Sequence, residues 1–144
     1  MAADIFSEEQ RSYVMSRVAS KNTKPELAVR SYLHRQGFRF RIHGRQLPGN
    51  PDVILPKHRT VVFVHGCFWH RHRDCSRTTM PTTRVDFWRN KFEKNVSRDQ
   101  KNQSLLKQGD WKVLVVWECE ISTHTKRGER LPLLARQIET KKPA

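Results

Sequence analysis

Long hydrophobic runs are missing from this chain. Its longest apolar stretches are four or five residues, such as Val113–Trp117, far short of the roughly 20 that a bilayer-spanning helix needs. A secretory leader is not visible either. Ser7-Glu8-Glu9-Gln10-Arg11 follows Ile5-Phe6 where its apolar segment should stand, so a cytoplasmic protein is expected. Cysteine is scarce, three in 144 residues, an odd number and too few for a disulfide scaffold. A reduced compartment follows, with metal or core roles for the thiols. Acid is scarce as well: 14 Asp and Glu stand against 28 Lys and Arg, for a net charge of +14. An enzyme of small neutral metabolites has no use for that charge, whereas nucleic acid, an anionic membrane or an acidic protein would. Repeats, low-complexity blocks and Gly/Ser linkers are absent, which points to one domain over 1–144.

The basic residues gather in two stretches. Residues 30–50 carry five arginines and no acid, and residues 71–98 carry eight Lys or Arg against three acids. Between and around them the patterning predicts an α/β fold. Ser7-Glu8-Glu9-Gln10 opens a helix to about Ala19, and Thr23-Lys24-Pro25-Glu26 opens a second that stops at Gly37. Phe38–Ile42 alternates like a strand. Asp52–Leu55 and Arg59–Val64 read as a hairpin about Pro56–Arg59. Thr83-Arg84-Val85-Asp86 caps a long helix ending near Gly109, and Trp111–Trp117 reads as an apolar strand central in the sheet. A last helix covers Glu129–Glu139. The order α, α, β, β, β, α, β, α predicts a mixed β-sheet flanked by helices.

Two acids stand out by position. With a four-residue turn Leu55 faces Thr60, and counting back sets Asp52 opposite Phe63, with His65 on the same side. That pairing of carboxylate and imidazole is a metal or acid/base constellation. On the long helix, Asp99 falls inside the stripe of Trp88, Phe92, Val96 and Leu106. An inward carboxylate must find a partner or be protonated.

The densest chemistry is Gly66-Cys67-Phe68-Trp69-His70-Arg71-His72-Arg73-Asp74-Cys75. Cys67, a histidine and Cys75 form the local half of a tetrahedral zinc site, and Cys119 can close it. Spacing leaves His70 and His72 equally eligible as the nitrogen ligand. Phe68 and Trp69, joined by Trp88, are aromatic wedges amid Arg71, Arg73 and Arg77 that could enter between bases.

Leu47-Pro48-Gly49-Asn50-Pro51-Asp52, Val62 through His70, Phe87-Trp88, Lys94 through Asp99, and Gly109 through Cys119 occur in an order that resembles the very short patch repair (Vsr) DNA mismatch endonucleases, over about residues 11–120. The resemblance implies a restriction-endonuclease-like fold in one domain, with a helical arm over 1–22, a catalytic core over 23–120, and a C-terminal helix and tail over 121–144. It implies that Asp52 binds a catalytic Mg²⁺ with the carbonyl of Val64. His70 is then the general base supported by Glu26, and His65 pairs with Asp99. A structural Zn²⁺ is held by Cys67, His72, Cys75 and Cys119, and Phe68, Trp69 and Trp88 intercalate. The implied substrate is duplex DNA with a T:G mismatch left by deamination of 5-methylcytosine, nicked 5′ to the thymine by a monomer that acts with downstream repair proteins. Two other readings of the residues stand beside it: a zinc-stabilised DNA-binding protein without catalysis, and a restriction-type nuclease cutting both strands.

Overall fold

The computed structural model describes residues 23–42 and 44–140; the helix expected over Ser7–Ala19 lies outside them. Helix α1 (Lys24–Arg35) begins where the Thr23 hydroxyl accepts the Glu26 N–H at 3.4 Å. It ends in a Schellman motif, with Gly37 N–H on His34 O and Phe38 N–H on Leu33 O, both 3.0 Å. Gly37 sits at φ +86°, which only glycine adopts freely. Val29 and Leu33 are fully buried on one face.

Strands β1 (Val53–Leu55) and β2 (Thr60–His65) form the hairpin. Its register is Val53↔Val62, Ile54↔Val61 and Leu55↔Thr60, the pairing counted from the sequence. A 3₁₀ turn over Pro56–His58 and a left-handed Arg59 connect them. The alternating run 38–42 contributes a single antiparallel bridge, Arg41↔Ile54, instead of a strand. Its alternation reflects the packing of Phe38 and Phe40 on the core.

A single-turn helix α2 (Cys67–His70) follows β2 directly, and α3 (Val85–Gln108) crosses to β3 (Lys112–Trp117). The entry to α3 differs from the expected Thr83 cap. Arg84 turns the chain in the left-handed region, without a side-chain cap, and stacks its guanidinium 4.3 Å over Phe87. β3 pairs in parallel with β2 from Thr60↔Lys112 to His65↔Trp117. The sheet order is β1-β2-β3, so β2 is central and β3 lies at an edge among the described residues. An apolar run reports that both faces of a strand are covered, not that both edges are paired.

A 3₁₀ turn (Glu118–Ile121) leads to α4 (His124–Glu139). This helix starts five residues earlier than expected, where the Thr123 hydroxyl accepts the Lys126 N–H at 3.1 Å. Gly128 and Pro132 both weaken a helix, but Leu131, Leu134 and Ile138 bury one face and hold it. Lys112 ties β3 to this helix by donating to the carbonyls of Gln137, Ile138 and Thr140. The architecture is α/β, a small mixed sheet between helices. α1 and α4 pack on Val53, Leu55 and Val62. α3 packs through Leu106 on Ile54, Val61 and Phe63. Among the described residues no helix is long and apolar enough to cross a membrane.

Leu134 is wholly buried at the centre of the α1–α4 layer. Leu134→Ala is expected to cost about 2–5 kcal/mol, read as a lower urea midpoint at unchanged slope.

Candidate active site

The C-terminal ends of β2 and β3, the start of α1 and the middle of α3 enclose a cavity of about 720 Å³. Asp52 stands one residue before β1. Its backbone N–H donates to Val62 O at 3.1 Å, and its Oδ2 accepts the Val64 N–H at 2.6 Å. The hairpin thus turns this carboxylate onto the end of the central strand. Burial pushes its pKa up from 3.8 to about 7. The Val64 hydrogen bond opposes that rise, the charge of Glu26 adds to it, and Arg30 and His70 moderate it. A desolvated carboxylate beside a second carboxylate favours a bound cation, which would relieve both.

Glu26 is 3% exposed, in the first turn of α1. One of its oxygens accepts from Arg30 Nη2 at 3.0 Å. It lines the same cavity as Asp52 and His70, and the hydrogen-bonded partner of His70 is a different carboxylate.

That partner is Asp99. The inward acid of α3 meets His70 Nδ1 at 2.6 Å, where the resemblance had paired it with His65. His65 instead lies flat against His70, ring centroids 3.8 Å apart and planes 4° apart. The reason is electrostatic. His65 is 5% exposed, and burial, reinforced by the charge of His70 and opposed by Asp99, pushes its pKa down to about 3. It is a neutral ring. His70 reaches further toward solvent, with a quarter of its side chain exposed, and is the imidazole whose nitrogen meets the carboxylate. An acceptor oxygen at Nδ1 selects the tautomer protonated there, and that tautomer leaves Nε2 of His70 a lone pair that can accept a proton.

Cys67, His72, Cys75 and Cys119 form a second cluster, their ligand atoms all within 4.8 Å of one another. His72 Nδ1 lies 3.6 Å from Cys67 Sγ and 3.4 Å from Cys119 Sγ. The edge of a tetrahedron with thiolate and imidazole bonds of zinc type is about 3.5 Å, so the four residues fit such an ion. His72 belongs to this cluster and His70 to the cavity, a division that spacing alone left open. The loop is held by the Thr78 hydroxyl donating to His72 O at 2.7 Å. Hydrogen bonds, foremost from the Arg77 backbone N–H, push the Cys75 thiol down to about 7, while burial pushes Cys67 up to about 12.

Phe68 and Trp69 line the cavity, and Trp88 packs behind them, with Phe68 edge-on to Trp69 at 5.1 Å and to Trp88 at 5.9 Å. Phe92 supports them, 4% exposed, 5.1 Å from Phe68 and beneath the Arg71 guanidinium at 3.9 Å. Asn95, which sequence reasoning did not single out, donates from Nδ2 to Trp69 O at 3.1 Å. Its signal was available: Lys91, Asn95 and Asp99 follow each other at helical spacing on one face of α3.

The family model described as DNA mismatch endonuclease Vsr matches residues 3–77. The chain belongs to this family. The type II nicking enzyme V.XorIIP of Xanthomonas oryzae pv. oryzae is 51% identical to this Vsr-family chain, over 83% of it and 87% of the relative. V.NmeAIP, a type II nicking enzyme of Neisseria meningitidis, is 46% identical over 94% and 96%. The DNA mismatch endonuclease Vsr of Escherichia coli K12 is 41% identical over 86% and 79%. The chain is therefore an endonuclease of the Vsr family.

Because the folded pKa of Asp52 lies above 3.8, the folded chain keeps a proton that the unfolded chain releases. Its contribution to stability therefore falls as pH rises from about 4 to 7, then stays constant. Asp52→Asn keeps an acceptor for Val64 and removes the charge. Without added divalent cation it is expected to be more stable than the parent by about 2–4 kcal/mol at pH 8 and no more stable at pH 4, measured by thermal melts at both values.

Proposed function

We propose that this chain is a Mg²⁺-dependent nickase of duplex DNA carrying a T:G mismatch of the kind left by 5-methylcytosine deamination, cutting 5′ to the thymine. The observation that carries the reading is the His70–Asp99 pair facing the same cavity as the buried carboxylate of Asp52. Asp52 and the carbonyl of Val64 would hold the ion, hard oxygen donors that suit Mg²⁺. Bound there, Mg²⁺ supplies charge neutralisation at the scissile phosphate and at the departing oxygen.

The chain's own residues do the rest. Asp99 fixes the tautomer of His70, whose Nε2 takes a proton from the attacking water. His65 keeps the imidazole in plane, and Glu26 biases Asp52 toward a cation. Cys67, His72, Cys75 and Cys119 hold a structural Zn²⁺ that pins a loop poor in apolar residues. Phe68, Trp69 and Trp88 enter the base stack at the wobble pair, where unstacking costs less than at a paired step. The net charge of +14 binds phosphates without reading sequence.

The mixed sheet with helices on both faces supports a restriction-endonuclease-like fold in one domain, with the arm over 1–22, the core over 23–120 and the helix and tail over 121–144. The enzyme works as a cytoplasmic, nucleoid-associated monomer that hands nicked DNA to downstream repair proteins. That the relatives V.XorIIP and V.NmeAIP are nicking enzymes favours one cut strand over two.

Incubation with Mg²⁺ and duplexes that differ only in T:G or T:A should give one nick, on the thymine strand of the first. Double-strand cleavage of the paired duplex would instead support a restriction-type nuclease. His70→Ala should lower single-turnover nicking by at least about 100-fold with duplex affinity retained, and nicking at the parent rate would remove His70 from the mechanism. Cys119→Ala should lose both bound zinc and the thermal transition, followed by metal analysis and calorimetry.

A further inference from the structure

β3 runs out into Trp117–Glu118–Cys119, and each of these side chains meets a different part of the site. Cys119 belongs to the Cys/His cluster. The Trp117 ring lies flat on His72 at 4.2 Å and 11°, and meets His65 edge-on at 5.2 Å and 73°. His65 in turn stacks on His70. Four rings therefore form one column, from the cluster to the imidazole that faces the cavity. Glu118 binds the backbone at the start of the turn that carries the same imidazole. Its Oε1 accepts the Cys67 N–H at 3.0 Å, the first N–H of α2, and the His70 N–H closes that turn on Gly66 O at 3.1 Å. Its other oxygen lies 3.9 Å from Arg77.

These contacts complete what the Asp99 hydrogen bond leaves undetermined. Asp99 fixes one atom of the His70 ring, about which the ring could still tilt. The column sets its plane, and the Glu118 contact sets the turn from which it hangs. Nucleophile activation needs the accepting nitrogen within a few tenths of an ångström of the water's proton.

We propose that Trp117 and Glu118 are positioning residues that couple the Cys/His cluster to His70. The proposal rests on His70 being the general base. The test compares Trp117→Ala, Trp117→Phe, Glu118→Ala and Glu118→Gln, with His70→Ala as reference. Four quantities are measured for each: single-turnover nicking of a T:G duplex, duplex affinity by anisotropy, metal per chain, and the His70 ring resonances by ¹⁵N NMR.

Both alanine variants should nick roughly 10- to 100-fold more slowly, with affinity within about twofold, full metal content and shifted His70 resonances. Phe keeps a stacking ring and Gln keeps an acceptor, so both should recover most of the rate. Where alanine prevents folding, Trp117→Leu and Glu118→Met keep volume without ring or acceptor and carry the same expectation. Loss of metal, a rate loss matched by weaker binding, or a Gln variant as slow as Ala would each overturn the proposal. So would unchanged His70 resonances, whatever the nicking result. Parent-rate nicking by His70→Ala would instead overturn the assignment of the base, leaving the resonances to report on the coupling alone.

Discussion

The parallel register of β2 and β3 sets the position of nearly every group at this site. The two strands end together at His65↔Trp117, and their continuations carry Cys67 and Cys119 into one cluster. The antiparallel hairpin delivers Asp52 to Val64 on the same strand end. A slip of β3 by one residue against β2 would turn Trp117 to the opposite face and separate Cys119 from Cys67. The hydrophobic layers on both faces of the sheet hold that register, since Val61 and Val62 are fully buried against different helices.

The charge distribution follows the same geometry. The chain is strongly basic, yet Glu26, Asp52, Asp99 and Glu118 all line the one cavity. Acid is concentrated where a cation would be held, and base is spread where phosphates would run. The wall that Lys91, Asn95 and Arg98 contribute from α3 joins the two regimes.

Much of this was legible in the sequence, for identifiable reasons. The hairpin register followed from Pro56 and the burial pattern around it, because turn length fixes strand pairing locally. Asp99 was recognisable as an inward acid because helical periodicity is local too. The composition of the Cys/His cluster followed from there being few cysteines to place. Its nitrogen ligand did not, since His70 and His72 are separated by a turn whose direction depends on Glu118 and Thr78, far away in sequence. The partner of Asp99 was equally hidden: which imidazole takes a carboxylate depends on which is the more buried. The single bridge at Arg41, the edge position of β3 and the left-handed Arg84 are likewise outcomes of packing that no local pattern encodes.

The connection between β2 and β3 spans residues 66–111. Closing a loop of that length costs about 3 kcal/mol of chain entropy, recovered only once the third strand has docked. During refolding the β1–β2 hairpin can assemble early from neighbouring residues, whereas β3 arrives through a contact of high sequence separation. Cys119 reaches the other three residues of the cluster only with that arrival. A metal ion captured beforehand by Cys67, His72 and Cys75 would wait with an open coordination position, and docking of the last strand would complete its shell and lock the topology in one event.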